Sequence, residues 1–155
     1  MNKNNLEQMR ARALALRLNG LLEHWDDAGA ADWVAPLLEW EEDARARRSL
    51  ARRLRDAHLG KFRALADFDW SWPKRIDRAA IEELMSLSFM RDASNVVFLG
   101  PNGAGKSTLA MNVAHQALVQ GHTVLFASAS QMLGELAALD SDSTLRRRLR
   151  RYAQP

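Results

Sequence analysis

No cysteine occurs among the 155 residues of the chain. That excludes disulfides and thiolate metal sites, and it agrees with a reducing compartment. The first twenty residues lack the uninterrupted apolar core of a signal peptide and instead carry Glu7, Arg10, Arg12 and Arg17. No apolar run approaches the length that a bilayer-spanning helix needs. The expectation is a soluble protein of the cytoplasm with no membrane partner. His24, His58, His115 and His122 show no metal-ligand spacing, with no cysteine or acid arranged around them, and they are given no role. No internal repeat and no low-complexity segment interrupts the chain.

Hydrophobic residues make up 47% and charged residues 26%, proportions that belong to an ordinary globular protein. The length suits one medium domain or two small units. Net charge is only +3, but its positive part is concentrated. Arg45, Arg47, Arg48, Arg52, Arg53, Arg55, Lys61 and Arg63 fall in one stretch, and Arg146, Arg147, Arg148, Arg150 and Arg151 form a second cluster. Such clusters raise local affinity for phosphates well beyond what net charge implies. The plainer reading, solvated helix faces, competes with it.

Leu6, Met9, Ala13 and Leu16 are spaced for an amphipathic helix over 5–18, ended near Gly20. Leu21, Leu22 and Trp25 continue a short second helix towards Gly29. Pro36 marks the start of a long helix through Leu37, Leu38, Trp40, Leu50, Leu54 and Ala57, closed by Gly60. Its early acids (Glu39, Glu41, Glu42, Asp43) and late arginines suit the helix dipole. Residues 66–73 alternate polar and aromatic side chains and end on Pro73, as an extended linker would. Asp77 is placed to cap a helix through Ile81, Leu84, Met85 and Leu87. The texture then changes: residues 95–99 and 123–127 are short apolar runs of the kind that form buried parallel strands. A helix from Lys106 to Gln120 lies between them, stopped by Gly121. Ser128 and Gln131 have capping-box spacing, and a basic helix runs from near Ser143 to Tyr152.

Gly100-Pro101-Asn102-Gly103-Ala104-Gly105-Lys106-Ser107 is a complete phosphate-binding P-loop, or Walker A motif. Its glycines let successive backbone N–H groups turn inward at phosphate oxygens. Lys106 supplies a point charge to the β and γ phosphates, and the Ser107 hydroxyl is a ligand for Mg²⁺. The helix that opens there aims its positive end at the anion. The expected ligands are therefore ATP and Mg²⁺, held by residues 100–108 with Thr108 included. Hydrolysis needs a further acid at the end of an apolar strand. The run at 123–127 ends in Ser128, and Leu136 to Asp140 has a helical pattern. No such Walker B element stands in these 155 residues, so catalytic residues are left unassigned.

The P-loop, the Asp67-Phe68-Asp69-Trp70-Ser71-Trp72-Pro73 segment and the arginine-rich helix before it resemble the IstB-like ATPases. These are transposition helper proteins of insertion sequences, related to the DnaC-type helicase loaders. The resemblance covers essentially the whole chain: Met9 to Gly20, Glu41-Glu42 with the arginine run to residue 59, Asp77-Arg78, Leu84, Gly121 to Leu125 and the 145–149 stretch all take part. It implies an α/β fold, a partial AAA+-like P-loop NTPase parallel sheet preceded by an all-α N-terminal region. It divides the chain into a helical region 1–65, a linker 66–76 and an incomplete ATPase domain 77–155. It also implies DNA contact through the Arg45–Arg63 and Arg146–Arg151 clusters, a transposase or helicase partner, and self-assembly. Family members continue into paired Walker B acids and an arginine finger, so the chain is expected to be a fragment that folds only marginally. Its two strands would be left with unpaired edges.

Three functions compete on this reading. A DNA-associated ATPase helper accounts for both the P-loop and the arginines. A nucleotide-binding remnant or interaction module without hydrolysis accounts for the missing acid, and a helicase loader is the variant of the first with a different partner. A small-molecule P-loop kinase needs a substrate lid and an acid that the chain lacks. Trp25, Trp33 and Trp40 are read as core or interface anchors, and Trp70 and Trp72 as linker anchors. Asp67 and Asp69 are read as turn or cap residues.

Overall fold

The structure, a computed structural model, describes residues 3–72 and 76–154. Pro73, where the sequence ends its linker, lies outside the described residues. Two compact units are present, residues 1–51 and 52–155. The boundary falls within the longest helix, and the segment expected as a linker, 66–76, falls in the second unit's range.

In the first unit, α1 (Lys3–Ala15) is followed by the short α2 (Asn19–Glu23) and α3 (Trp25–Ala28), then by α4 (Val34–Asp56). Met9, Ala13 and Leu16 pack with Val34 and Leu38, and Leu6, Leu21, Leu22 and Trp25 close around them. Pro36 is the third residue of α4, where its missing N–H costs no helical bond. Arg12 reaches Glu42 through two hydrogen bonds, from Nε to Oε1 at 2.8 Å and from NH2 to Oε2 at 2.7 Å. Because α4 starts at Val34, its acids fall beyond the first turn. They therefore serve as ion-pair partners for Arg12, Arg45 and Arg48, and contribute little to the dipole. Trp33 and Trp40 are not core residues: they are 52% and 68% exposed. Leu38 holds the buried stripe, and a residue two positions on is turned about 200° around the helix.

In the second unit, a 3₁₀ turn at Leu65–Asp67 precedes α5 (Arg78–Leu84), α6 (Ser88–Arg91), α7 (Lys106–Val119), α8 (Ala129–Ala137) and α9 (Asp142–Ala153). The predicted caps form: the Asp77 carboxylate accepts from Ala80 N at 3.0 Å and the Ser128 hydroxyl from Gln131 N at 3.1 Å. The last helix is capped by Ser141, two residues before the expected start. The predicted helix after Asp77 breaks in two, because Leu87 takes a left-handed conformation at φ +60°.

The expected parallel sheet is not formed. Among the described residues there is no strand, and both apolar runs are extended chain without a ladder. A strand exists only through hydrogen bonds to a neighbour, and these two runs do not pair with each other. The second run's Phe126 N donates to Ala57 O at 2.8 Å, an isolated bond. In the first run Val97 and Leu99 are 75% and 89% exposed while Val96 and Phe98 are half-buried. That alternation is the period of an extended chain covered on one side only.

Candidate functional site

The extended run ending at Gly100 leads into the glycine loop, and the loop opens directly into α7. Gly103 (φ +78°) and Gly105 (φ +82°) both lie in the left-handed region that residues with a Cβ avoid. Gly105 is the N-cap of α7 and offers no side chain to its first turn. By contrast α5, α8 and α9 are capped by Asp77, Ser128 and Ser141. The N–H groups of Lys106, Ser107 and Thr108 have no helical carbonyl to bond, so they are donors for an anion at the positive end of a 14-residue helix.

Lys106 Nζ donates to Gly100 O at 2.9 Å and Pro101 O at 2.6 Å. The ammonium is thus held by two carbonyls of the loop itself. Ser107 is exposed beside it, and its hydroxyl is the group available to a phosphate-bound Mg²⁺. Asn102 is exposed on the outer turn, while Ala104 is buried and seats the loop against the protein. All nine predicted ligand residues, 100–108, therefore fall on one loop and the first turn of one helix.

Two supporting residues escaped the sequence reading. Phe68 lies against the loop so closely that a Cβ on Gly105 would sit 2.6 Å from its ring. Phe68 in turn meets Trp70 edge-on, with ring centroids 4.9 Å apart, and the Arg78 guanidinium lies over Trp70. Asn112 is a buried polar residue whose Nδ2 donates to Arg63 O at 2.9 Å and to Thr108 O at 2.8 Å. One helical turn on, His115 stacks on Phe62. The stretch from Phe62 to Trp70 is therefore a brace for α7. The aromatic alternation at 66–73 signals a surface-bound segment, but no spacing in it points to Gly105. Asp69 is a turn residue, accepting from the Ser71 hydroxyl and from Ser71 N at 2.9 Å, and these two bonds, the hydroxyl's first, hold its carboxyl below the ordinary range.

An apolar groove of about 620 Å³ begins at the loop. Gly100, Pro101 and Lys106 stand at one end, and Ile81, Leu84, Val97, Leu99 and the exposed Trp72 line the rest.

The basic clusters divide by geometry. Arg45 is turned inward to Leu16 O and Glu41. Arg53 Nε donates to Leu118 O at 3.2 Å, and Arg148 NH1 donates to Glu135 at 3.0 Å. Tyr152 donates to the same Glu135 oxygen at 2.9 Å, and this bond, with one from Gln131 and the charge of Arg148, lowers the Glu135 pKa. Arg47, Arg52, Arg55, Lys61, Arg63, Arg146, Arg147, Arg150 and Arg151 face solvent.

A glycine loop of this geometry, opening an uncapped helix beneath a lysine, defines a nucleotide-phosphate-binding protein of the Walker A class. The family described as IstB-like ATP binding protein matches residues 4–155, and the chain belongs to it. Among its relatives is a protein of Pseudomonas aeruginosa named for ATP binding in insertion sequence IS21, 29% identical over 96% of this chain and 57% of that protein. A similarly named insertion-sequence protein of Mycobacterium tuberculosis is 30% identical over 95% of this chain and 62% of its own length. One from insertion sequence IS5376 of Geobacillus stearothermophilus is 29% identical over 81% and 50% respectively. The chain thus spans between half and two thirds of the length of these relatives. No helix among the described residues is long and apolar enough to cross a membrane.

Proposed function

We propose that this chain is the ATP-holding part of a transposition helper that works with DNA and a transposase. Residues 100–108 take the triphosphate, with Lys106 on its terminal phosphates and Ser107 on Mg²⁺. Residues 77–155 then form the first part of the ATPase domain, residues 66–76 the linker, and residues 1–65 the helical region that meets partners. The observation that carries the reading is the uncapped start of α7, where three N–H groups lack helical partners and the Lys106 ammonium is held by two carbonyls of the same loop. The apolar groove beside the loop suits the nucleoside half of the ligand, with Trp72 offering a face for the base. The relatives' insertion-sequence names support the transposition setting.

When bound, Mg²⁺ draws charge from the phosphates and orients them. The chain's own residues bind and position: backbone N–H groups grip the phosphate oxygens and Lys106 exchanges its two carbonyl partners for them. The second apolar run ends in Ser128 and not in an acid, so these residues supply ATP binding without the acid that turnover needs. Titration with a fluorescent methylanthraniloyl-ATP in the presence of Mg²⁺ tests the site. Lys106→Ala is expected to weaken binding by about tenfold or more, the worth of a charge-assisted hydrogen bond. Unchanged affinity in that variant would overturn the site, and hydrolysis that disappears with Lys106 would overturn the absence of turnover.

A further inference from the structure

We propose that the outer face of α4 is a two-fold interface, on which a second copy of this chain lays its own α4 antiparallel to form a dimer without nucleotide. Trp33, Leu37, Trp40, Ala44, Arg47 and Ala51 recur at alternating steps of four and three residues. That is the spacing of a coiled-coil seam. Each residue of a helix advances by about 100°, so the seam lies on the side away from the buried Leu38. Trp33 stands just before α4 but shares its geometry, since its carbonyl accepts from Leu37 N at 3.0 Å. The seam falls within the first compact unit and includes no residue of the phosphate loop.

Single exposed apolar residues are ordinary, but Trp33 and Trp40 stand in one line two helical turns apart, with the half-buried Leu37 between them. Tryptophans so placed are the anchors that an interface buries at its centre. Charge selects the occupant. Glu39 and Asp43 lie exposed along the edge of the seam's first half, and Arg47 and Arg48 are exposed in its second half. The acids beside the tryptophans repel a nucleic acid. Two copies in parallel would set acid on acid and arginine on arginine, whereas antiparallel copies set each acidic half against the other's arginines. With the two-fold axis crossing just after Ala44, Asp43 lies across from Arg47 of the second copy, and the pair repeats on the far side of the axis. Neither Asp43 nor Arg47 forms a salt bridge among the described residues. In that register Trp40 meets Ala51 of the second copy, large against small, and Ala44 lets the two helices approach closely. The seam runs about 27 Å, so the contact belongs at the small end of specific interfaces, about 1,200 Å² in total, and a micromolar dimer is expected.

The test is sedimentation equilibrium of the full chain, without nucleotide, over the micromolar range. Wild type is expected to pass from monomer to dimer. Trp33→Ser with Trp40→Ser is expected to weaken the dimer by about a hundredfold or more, the loss that follows removal of central tryptophans. Both side chains are exposed in the single copy, so the urea midpoint measured below the dimer's range should stay at the wild-type value. Arg47→Asp sets acid against acid in the antiparallel pair and is expected to weaken it by roughly tenfold. Adding Asp43→Arg to that variant exchanges the two charges and should restore the wild-type dimer; this exchange decides the matter even if the serine variant misfolds. A wild-type chain that stays monomeric overturns the interface, as does a dimer unmoved by the serine substitutions. An exchange that fails to restore the dimer overturns the antiparallel pairing. Assembly seen only with ATP and Mg²⁺ overturns the interface and leaves the phosphate site in place. Quenching of the tryptophans by single-stranded DNA in a chain that does not self-associate gives the face to nucleic acid and overturns it as well.

Discussion

Gly103 and Gly105 share a left-handed backbone but differ in what surrounds them, and that difference separates two contributions to the phosphate site. A Cβ at Gly103 would meet no atom within 4 Å, so Gly103→Ala carries only the backbone penalty. For a residue with a Cβ in this region that penalty is about 1–2 kcal/mol, a factor of roughly 5–30 in the population of the binding conformation. At Gly105 the same penalty applies, and the new Cβ would also lie 2.6 Å from Cε2 of Phe68. Displacing the ring adds an overpacking cost of about 1–3 kcal/mol. Gly105→Ala is therefore expected to bind methylanthraniloyl-ATP about tenfold more weakly than Gly103→Ala. Adding Phe68→Ala to Gly105→Ala removes the ring and should bring affinity back to the Gly103→Ala level, with the backbone penalty remaining. Equal affinities for the two single variants would refute the claim that Phe68 braces the loop. So would a double variant no better than Gly105→Ala alone.

Asn112→Ala removes the buried donor that ties α7 to Arg63 O and Thr108 O and is expected to cost about 1–3 kcal/mol, read as a lowered urea midpoint. Asn112→Asp should cost more, since it sets a carboxylate against two carbonyl oxygens. In the first unit, the Arg12 hydrogen bonds hold the Glu42 carboxyl below its ordinary value of 4.5. A depressed carboxylate contributes stability that is present above the ordinary value and lost as pH falls through the folded one. The difference in urea midpoint between wild type and Glu42→Gln is thus expected to be constant near neutrality and to shrink below about pH 4.5. A difference that grew as the solution was acidified would contradict the pairing.

The features readable from the chain alone were those set by residues close in sequence. A helix cap is chemistry between a residue and its third neighbour, so Asp77 and Ser128 could be recognised from spacing, and both caps form. The phosphate loop is likewise local, because glycines at 100, 103 and 105 dictate the backbone whatever lies around it. The extended runs were legible as conformation but not as a sheet. A strand's hydrogen bonds belong to its neighbour, and no run of apolar residues specifies that the neighbour is present. Trp40 was misplaced for a related reason: its spacing fits a helix, but only packing decides which side of α4 faces the core, and Leu38 occupies that side.

What the sequence by itself determined is the phosphate loop, the helices with their caps, and the presence of two basic clusters, since each arises within a few residues of chain. Tertiary structure alone decided that Phe68 braces Gly105 and that Asn112 ties α7 to Arg63. Each of these joins residues dozens of positions apart, and such a contact exists only when the chain between them has folded to bring them together.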